Sequence, residues 1–144
     1  MNDVFIYTEI SNPVIANITI PSFRKHHDCK LHIICFKDIF NQLVKNENNI
    51  LIDVSEYPDL KHVFNKGADG VAATYAKVLL RQIGNGNRII HFDSDVYFKK
   101  ECVPLIQNNF DAGYDIVGCR RTYANNPGKV RGLEGLHDTI STYF

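Results

Sequence analysis

The sequence lacks an excess of charge of either sign, since 16 Lys and Arg side chains balance 16 Asp and Glu side chains. This balance gives no electrostatic reason to expect nucleic acid or an anionic membrane surface as a partner. No apolar run comes near the roughly 20 residues that a membrane-spanning helix needs. The N-terminal Met-Asn-Asp leads straight into an apolar segment, and no signal peptide is visible. We therefore expect a cytoplasmic protein with no transmembrane segment and no nucleic-acid partner.

Closely spaced cysteine pairs are also missing. The four cysteines form no Cys-x-x-Cys motif: Cys29, Cys35, Cys102 and Cys119. Reduced thiols in a cytoplasmic protein are the favoured interpretation of this pattern.

Two common nucleotide-binding devices are absent from the sequence. It contains no Gly-x-x-x-x-Gly-Lys-Ser/Thr loop, which cradles phosphates in P-loop proteins. Gly84 and Gly86 precede a predicted strand, whereas the glycines of a dinucleotide-binding fingerprint follow a strand and open a helix. If this chain binds phosphates, it must hold them by another arrangement.

Apolar segments with the periodicities of strands and helices alternate along the 144 residues. Strands are predicted at 4–7, 31–36, 50–54, 88–92 and 114–119. Helices are predicted at 13–23, 37–46, 71–83 and 103–110. The alternation predicts one α/β domain, with a mainly parallel sheet flanked by helices on both faces. The segments 55–70 and 120–135 carry the Gly, Pro and Asn punctuation of loops.

Local signals set some of the helix ends. Ser11 or Asn12 is expected to cap the first helix, with Pro13 as its first residue. Pro21 predicts a kink or a restart in that helix. Gly84 is expected to be the left-handed residue that stops the third helix.

An acidic turn follows the fourth predicted strand and is the strongest functional signal. The segment 88–98 places Asp93 and Asp95 between two apolar runs. Charge is rarely left near a core unless it is paired or holds a metal, and open α/β sheets bind ligands at the carboxyl ends of their strands. Mg²⁺ and Mn²⁺ prefer oxygen ligands and are often held by one or two carboxylates plus substrate phosphates. A calcium-binding EF-hand is excluded because its sixth position, Phe98, would have to be glycine.

Four segments carry a resemblance to a known family: 3–9, 22–34, 74–77 and 88–98. Over about residues 3 to 119, the chain resembles nucleotide-sugar glycosyltransferases of the GT-A fold, and family 8 glycosyltransferases in particular. The segment 88–98 matches the metal motif of that family closely, and it is the most specific part of the match. The resemblance implies a Rossmann-like GT-A layer.

The resemblance also implies an activity and a set of binding residues. The chain would belong to a metal-dependent hexosyltransferase that moves a sugar from a nucleotide-diphosphate sugar, most simply a UDP-sugar, to an acceptor hydroxyl. Mn²⁺ or Mg²⁺ would be the cofactor, with Asp93 and Asp95 as its ligands. The implied donor-binding residues surround the nucleoside, the diphosphate and the metal: Tyr7, Thr8, Glu9, Asp53, Lys77, Asp93, Ser94 and Asp95.

The chain departs from the family after the acidic turn. Family members continue with a further strand, helices, an acceptor site and a late metal-binding His, which have no counterpart before Phe144. We therefore expect residues 1–144 to form a single donor-binding domain, the half of an enzyme that lacks the acceptor half. Such a domain would bind the donor with little or no transfer.

Two other functions stay open at this point. Sugar-phosphate nucleotidyltransferases share the layered architecture, but they resemble one another in a Gly-rich, Arg-containing loop where this chain has 8–13, Thr-Glu-Ile-Ser-Asn-Pro. A non-catalytic nucleotide-sugar-binding fragment is the second alternative.

Individual residues also have simpler interpretations. Asp53 could merely end a strand, and Lys77 could be a solvated helix residue. His91 is better explained as a hydrogen-bonded core histidine than as a metal ligand. Phe92 and Tyr97 are most simply core residues, and Arg120 and Arg121 are most simply surface charges.

Overall fold

A computed structural model describes residues 3–58, 76–93 and 96–112 of the chain. The chain divides into two compact units, Met1–Lys100 and Glu101–Phe144. The described strands are β1 (Asp3–Thr8), β2 (Leu31–Cys35), β3 (Asn49–Asp53) and β4 (Arg88–Asp93). The described helices of the first unit are α1 (Pro13–Arg24), α2 (Lys37–Phe40), a 3₁₀ turn (Val54–Glu56) and α3 (Leu79–Gly84). In the second unit, α4 spans Val103–Asp111.

The four strands form one parallel sheet in the order β3-β2-β1-β4. The chain therefore adds strands on one side of β1 first and then crosses to its other side for β4. Such a reversal of strand order is a topological switch point. An ion pair between Arg88 and Asp3 joins β4 to β1 at their amino ends. The predicted parallel sheet flanked by helices is confirmed.

Aromatic side chains cover one face of the sheet. Phe5 on β1 and Phe92 on β4 pack against Phe23 of α1, with ring centroids 5.2 and 5.4 Å apart. Alternate residues of a strand point to opposite faces, so Tyr7 joins Phe5 on this side. Its ring centroid lies 5.3 Å from that of Phe92. We call this side the aromatic face, and α1 is the helix that closes it.

Aliphatic side chains cover the opposite face. Ile6 of β1 and Ile34 of β2 form a buried cluster with Val54, Ala76 and Leu79. Leu79 belongs to α3, and this helix contacts both β1 and β4. Helices therefore cover both faces of the sheet, as the alternation of segments predicts.

Helix α1 begins as its sequence predicts. The side chain of Asn12 accepts hydrogen bonds from the amides of Val14 and Ile15, at 3.1 and 3.3 Å, and Pro13 is the first helical residue. Proline suits this position because the amide it lacks would have no partner in the helix. The helix continues through Pro21 to Arg24, so it does not restart there.

The second predicted helix is wrong in length. Helix α2 is a single turn, whereas the apolar spacing predicts a helix over 37–46. The side chain of Asn17 on α1 explains the early end. It donates to the carbonyl of Gln42 at 2.9 Å and accepts from the amide of Val44 at 2.8 Å. These backbone groups are thus bound by a side chain instead of continuing the helical ladder.

The end of α3 also differs from the prediction. Gly84 is the last residue of the helix, and Asn85 adopts the left-handed conformation, with φ 45° and ψ 50°. Asparagine is one of the few residues that enter this region readily. Gly84 is needed for another reason, because a Cβ there would lie 2.5 Å from Cγ1 of Ile89. Within the predicted helix 71–83, the described part has a turn at 77–78 before α3, and 71–75 lie outside the described residues.

The two aromatic residues expected in the core differ in their burial. Phe92 is buried as expected, but Tyr97 is wrong as a core residue because 56% of its surface is exposed. Helix α4 agrees with the predicted 103–110 to within one residue. The predicted strand at 114–119, the loop with Arg120 and Arg121, and most of 55–70 lie outside the described residues.

Candidate functional site

The carboxyl ends of the four strands lie along one edge of the sheet, because all of them run parallel. We call this the carboxyl edge, and its strands end at Thr8, Cys35, Asp53 and Asp93. Thr8 is directly opposite Asp93 in the pairing of β1 with β4. This pair marks the switch point, where open α/β sheets form their binding crevice. Asp53 lies two strands from β1, or about 10 Å at the usual strand spacing.

Thr8 holds the ends of β1 and β4 together through its side chain. Its hydroxyl is hydrogen-bonded to Nε2 of His91 at 3.1 Å, and only 3% of Thr8 is exposed. His91 is half-buried, one residue before Phe92. The hydrogen bond expected for His91 is thus present. The nucleoside contact of Thr8 stays a prediction.

Glu9 organises the loop between β1 and α1. Its Oε1 accepts hydrogen bonds from the amides of Ile10, Ser11 and Asn12, at 2.8, 3.0 and 3.0 Å. Only 7% of this residue is exposed. A carboxylate that binds three consecutive amides ahead of a helix occupies the place where a phosphate binds in many α/β proteins. Glu9 therefore acts as an internal anion, and the sequence carried no signal for this role.

Tyr7 and Asp53 have structural roles at the positions that the sequence assigns to a nucleoside site. Tyr7 is fully buried on the aromatic face. Asp53 is half-buried, and its Oδ1 accepts from the amide and hydroxyl of Ser55, at 3.0 and 2.8 Å. Asp53 thus ends β3 and caps the 3₁₀ turn, which matches its simpler interpretation. The nucleoside contacts of both residues stay predictions.

Lys77 precedes the helix that packs on the switch-point strands. It is half-buried, and its carbonyl accepts from the amide of Leu80 at 3.1 Å. Since α3 contacts both β1 and β4, Lys77 lies just before the helix that packs beside the strands carrying Thr8 and Asp93. Its contact with a diphosphate stays a prediction.

The acidic turn begins at the carboxyl end of β4, as predicted, because the strand ends at Asp93. The side chain of Asp93 and all of Ser94 and Asp95 lie outside what the structure describes. Among the described residues, no group of three His, Cys, Asp or Glu side chains could hold a metal ion. Two carboxylates at this edge would offer the hard oxygen ligands that Mg²⁺ and Mn²⁺ prefer, with phosphate oxygens filling other positions. The carboxylate oxygens of Asp93 and Asp95 are therefore the kind of ligand that suits the implied Mn²⁺ or Mg²⁺.

Cys35 lies at the same edge but is poorly suited to nucleophilic chemistry. Burial raises the pKa of its thiol to about 12, and the nearby carboxylates of Asp53 and Glu9 add to the shift. Burial also raises the pKa of Cys29. Because both pKa values are raised, both thiols stay protonated near neutral pH. The thiolate is the reactive form of cysteine, so neither side chain is suited to act as a nucleophile.

The segment after the acidic turn is fixed to α1 by two residues that sequence reasoning missed. The amide of Phe98 donates to Oγ of Ser22 at 3.0 Å, across 76 positions of sequence. The ring of Phe98 packs against Phe23, His27 and Phe92. Sequence periodicity cannot reveal such a pairing, because Ser22 has an ordinary helical position and Phe98 lies in an irregular segment.

Comparisons of the whole chain with protein-family models, characterised proteins and solved structures found no significant match. Within the described residues, every helix is too short or too polar to cross a bilayer.

Proposed function

We propose that this chain is the donor-binding domain of a metal-dependent, GT-A-type glycosyltransferase that uses a nucleotide-diphosphate sugar such as a UDP-sugar. One observation carries the proposal. The register of β1 with β4 places Thr8 opposite Asp93 at a topological switch point, so that the Asp-Ser-Asp sequence starts at the sheet's expected binding crevice.

The loop before α1 supports a metal-dependent mode of phosphate binding. In many α/β proteins, phosphates bind to free amides at the start of the first helix. Here the amides of 10–12 are bound by Glu9, and those of Val14 and Ile15 are bound by Asn12. A diphosphate would need another source of positive charge, and a cation held by Asp93 and Asp95 would provide it. This arrangement also argues against a nucleotidyltransferase, which needs an open phosphate-binding loop at this place.

The proposed role of each residue follows from its position in the fold. Asp93 and Asp95 would hold Mn²⁺ or Mg²⁺ at the end of β4, and Lys77 would approach the diphosphate from the start of α3. Thr8 and Asp53 would line the nucleoside side of the edge. A bound divalent cation supplies Lewis-acid stabilisation of the negative charge on a departing diphosphate. Ordering these groups before the donor arrives would reduce the entropy lost on binding.

Calorimetric titration of UDP, with Mn²⁺ or with EDTA, tests the proposal. We expect UDP binding to require Mn²⁺ and to be lost in Asp95→Asn, since the amide lacks the charge that a hard cation prefers. The thermal midpoint of this variant should stay near that of the wild type. Asp38→Asn is a matched control because Asp38 is an exposed acidic residue on α2.

Two results would overturn the proposal. One is a UDP affinity that is the same in Mn²⁺ and in EDTA. The other is an unchanged Mn²⁺-dependent affinity in Asp95→Asn.

A further inference from the structure

The chain that leaves the acidic turn is attached to α1 through a buried serine. Ser22 is 2% exposed, and its hydroxyl has two partners. It donates to the carbonyl of Thr19 at 2.7 Å and accepts from the amide of Phe98 at 3.0 Å. The hydroxyl therefore uses its donor and one acceptor position, and the backbone of Phe98 is fixed to the middle of the fold.

The ring of Phe98 adds a second attachment at the same point. It meets the rings of Phe23 and Phe92 at centroid distances of 5.2 and 4.8 Å, both at 77°. The ring of His27 lies 5.7 Å away at 76°. Edge-to-face contacts of this kind are favourable for aromatic pairs. We call Ser22, Phe98 and these three rings the anchor.

The anchor and β4 fix the two ends of the acidic turn independently. The backbone of Asp93 is paired with Thr8 in the sheet, and Phe98 is held by Ser22. Only the four residues 94–97 lie between these points. Phe98 itself has limited freedom, because both its amide and its ring are held. Tyr97 lies inside this span but is mostly exposed, so its side chain contributes little to the restraint.

We propose that Ser22 and Phe98 are positioning residues for ligand binding at the Asp93-Ser94-Asp95 turn. Because Phe98 is already held before a cation and a diphosphate bind, less entropy is lost on binding, and affinity rises although neither residue touches a ligand. This inference rests on the proposed function, because it assumes that the turn binds a divalent cation with a nucleoside diphosphate.

Ser22→Ala is the direct test, since it removes the acceptor of the Phe98 amide. We expect the dissociation constant for UDP in saturating Mn²⁺ to rise about fivefold, as the loss of one buried hydrogen bond suggests. The exchange rate of the Phe98 amide with deuterium should rise in the absence of any ligand. Phe98→Leu, which keeps an apolar side chain but removes the ring, should weaken UDP binding in the same way.

Three control variants separate positioning from general destabilisation. Ala16→Gly weakens the buried middle of the same helix but leaves the anchor in place, and it should lower the thermal midpoint without changing UDP affinity. Tyr97→Ala alters an exposed side chain beside Phe98 and should bind UDP normally. Ser22→Thr keeps the hydroxyl, which can still bond the carbonyl of Thr19 from a helical rotamer, and should restore affinity.

The outcomes distinguish this inference from the proposed function. If the wild type does not bind UDP with Mn²⁺, the proposed function fails and the inference fails with it. If the wild type binds and Ser22→Ala and Phe98→Leu bind equally well, the inference alone is wrong. Equal losses in Ala16→Gly and Ser22→Ala would also overturn it, because stability would then explain both.

Discussion

Gly84 is a residue whose importance lies in a missing methyl group. Its backbone needs no left-handed conformation, yet a Cβ would come within 2.5 and 2.6 Å of Cγ1 and Cδ1 of Ile89. Replacement of glycine by alanine within a helix is otherwise favourable by about 1 kcal/mol. Here the collision opposes that gain, since overpacking of a core usually costs about 1–3 kcal/mol.

We therefore expect Gly84→Ala to destabilise the chain by about 1 kcal/mol, as measured by urea unfolding. Ile89→Ala is the matched partner, because it removes both Cγ1 and Cδ1, the two atoms that a Cβ at position 84 would meet. In the double variant the alanine at position 84 should be less harmful than in the wild-type background. A Gly84→Ala variant that is more stable than the wild type would show that Ile89 moves aside freely.

The residues around the candidate site differ in how far their positions and contacts could be predicted from the sequence. The position of Asp93 at the end of β4 was predictable, because the apolar run before it has the pattern of a buried strand. The role of Glu9 was not predictable, because three hydrogen bonds to its own loop depend on backbone geometry that composition does not encode. Ser22 was equally hidden, since its partner is 76 positions away.

At the scale of elements, local signals predicted starts better than lengths. The Asn12-Pro13 pair defines the start of α1 through contacts within three residues. The end of α2 was mispredicted because Asn17, 25 residues from Gln42, binds the backbone that would have continued the helix. Periodicity describes which residues prefer to be buried, but such competing hydrogen bonds decide where an element stops.

The loop between β1 and α1 yields a prediction about anion binding. Glu9→Ala removes the acceptor of three amides and should destabilise the chain by about 3 kcal/mol, because hydrogen bonds to charged groups are among the stronger ones. Sulfate should then raise the thermal midpoint of Glu9→Ala more than that of the wild type. The physical reason is that the freed amides form an anion site at the start of a helix.

Asn12→Ala serves as the control for this loop. It removes only the cap of Val14 and Ile15, which typically stabilises a helix by about 1 kcal/mol. Its response to sulfate should be smaller than that of Glu9→Ala, because the Glu9 carboxylate still binds the amides of 10–12 and its charge opposes a second anion nearby. Equal sulfate responses in all three proteins would contradict the view of Glu9 as an internal anion.

For the molecule as a whole, the alternation of segments was sufficient to predict a parallel sheet covered by helices. The strand order β3-β2-β1-β4 did not follow from that alternation, because every parallel order has the same sequence pattern. The order matters for the proposed function, since it makes β1 and β4 neighbours and defines the switch point. The sequence therefore predicted that Asp93 lies at the carboxyl end of a strand, but it could not reveal the pairing of Asp93 with Thr8.

The division into two units leads to a prediction for the whole molecule. All candidate donor-binding residues, from Tyr7 to Asp95, and the anchor lie within Met1–Lys100. We expect a fragment of residues 1–100 to unfold cooperatively and to bind UDP with Mn²⁺ within about twofold of the full chain, as is usual for independent parts. A fragment of residues 1–96 keeps Asp93 and Asp95 but lacks Phe98, so it should fold less stably and bind more weakly. Circular dichroism on heating and calorimetry with UDP would measure both properties. If the full chain binds UDP and a folded 1–100 fragment does not, residues beyond Lys100 are needed for UDP binding and this prediction is wrong.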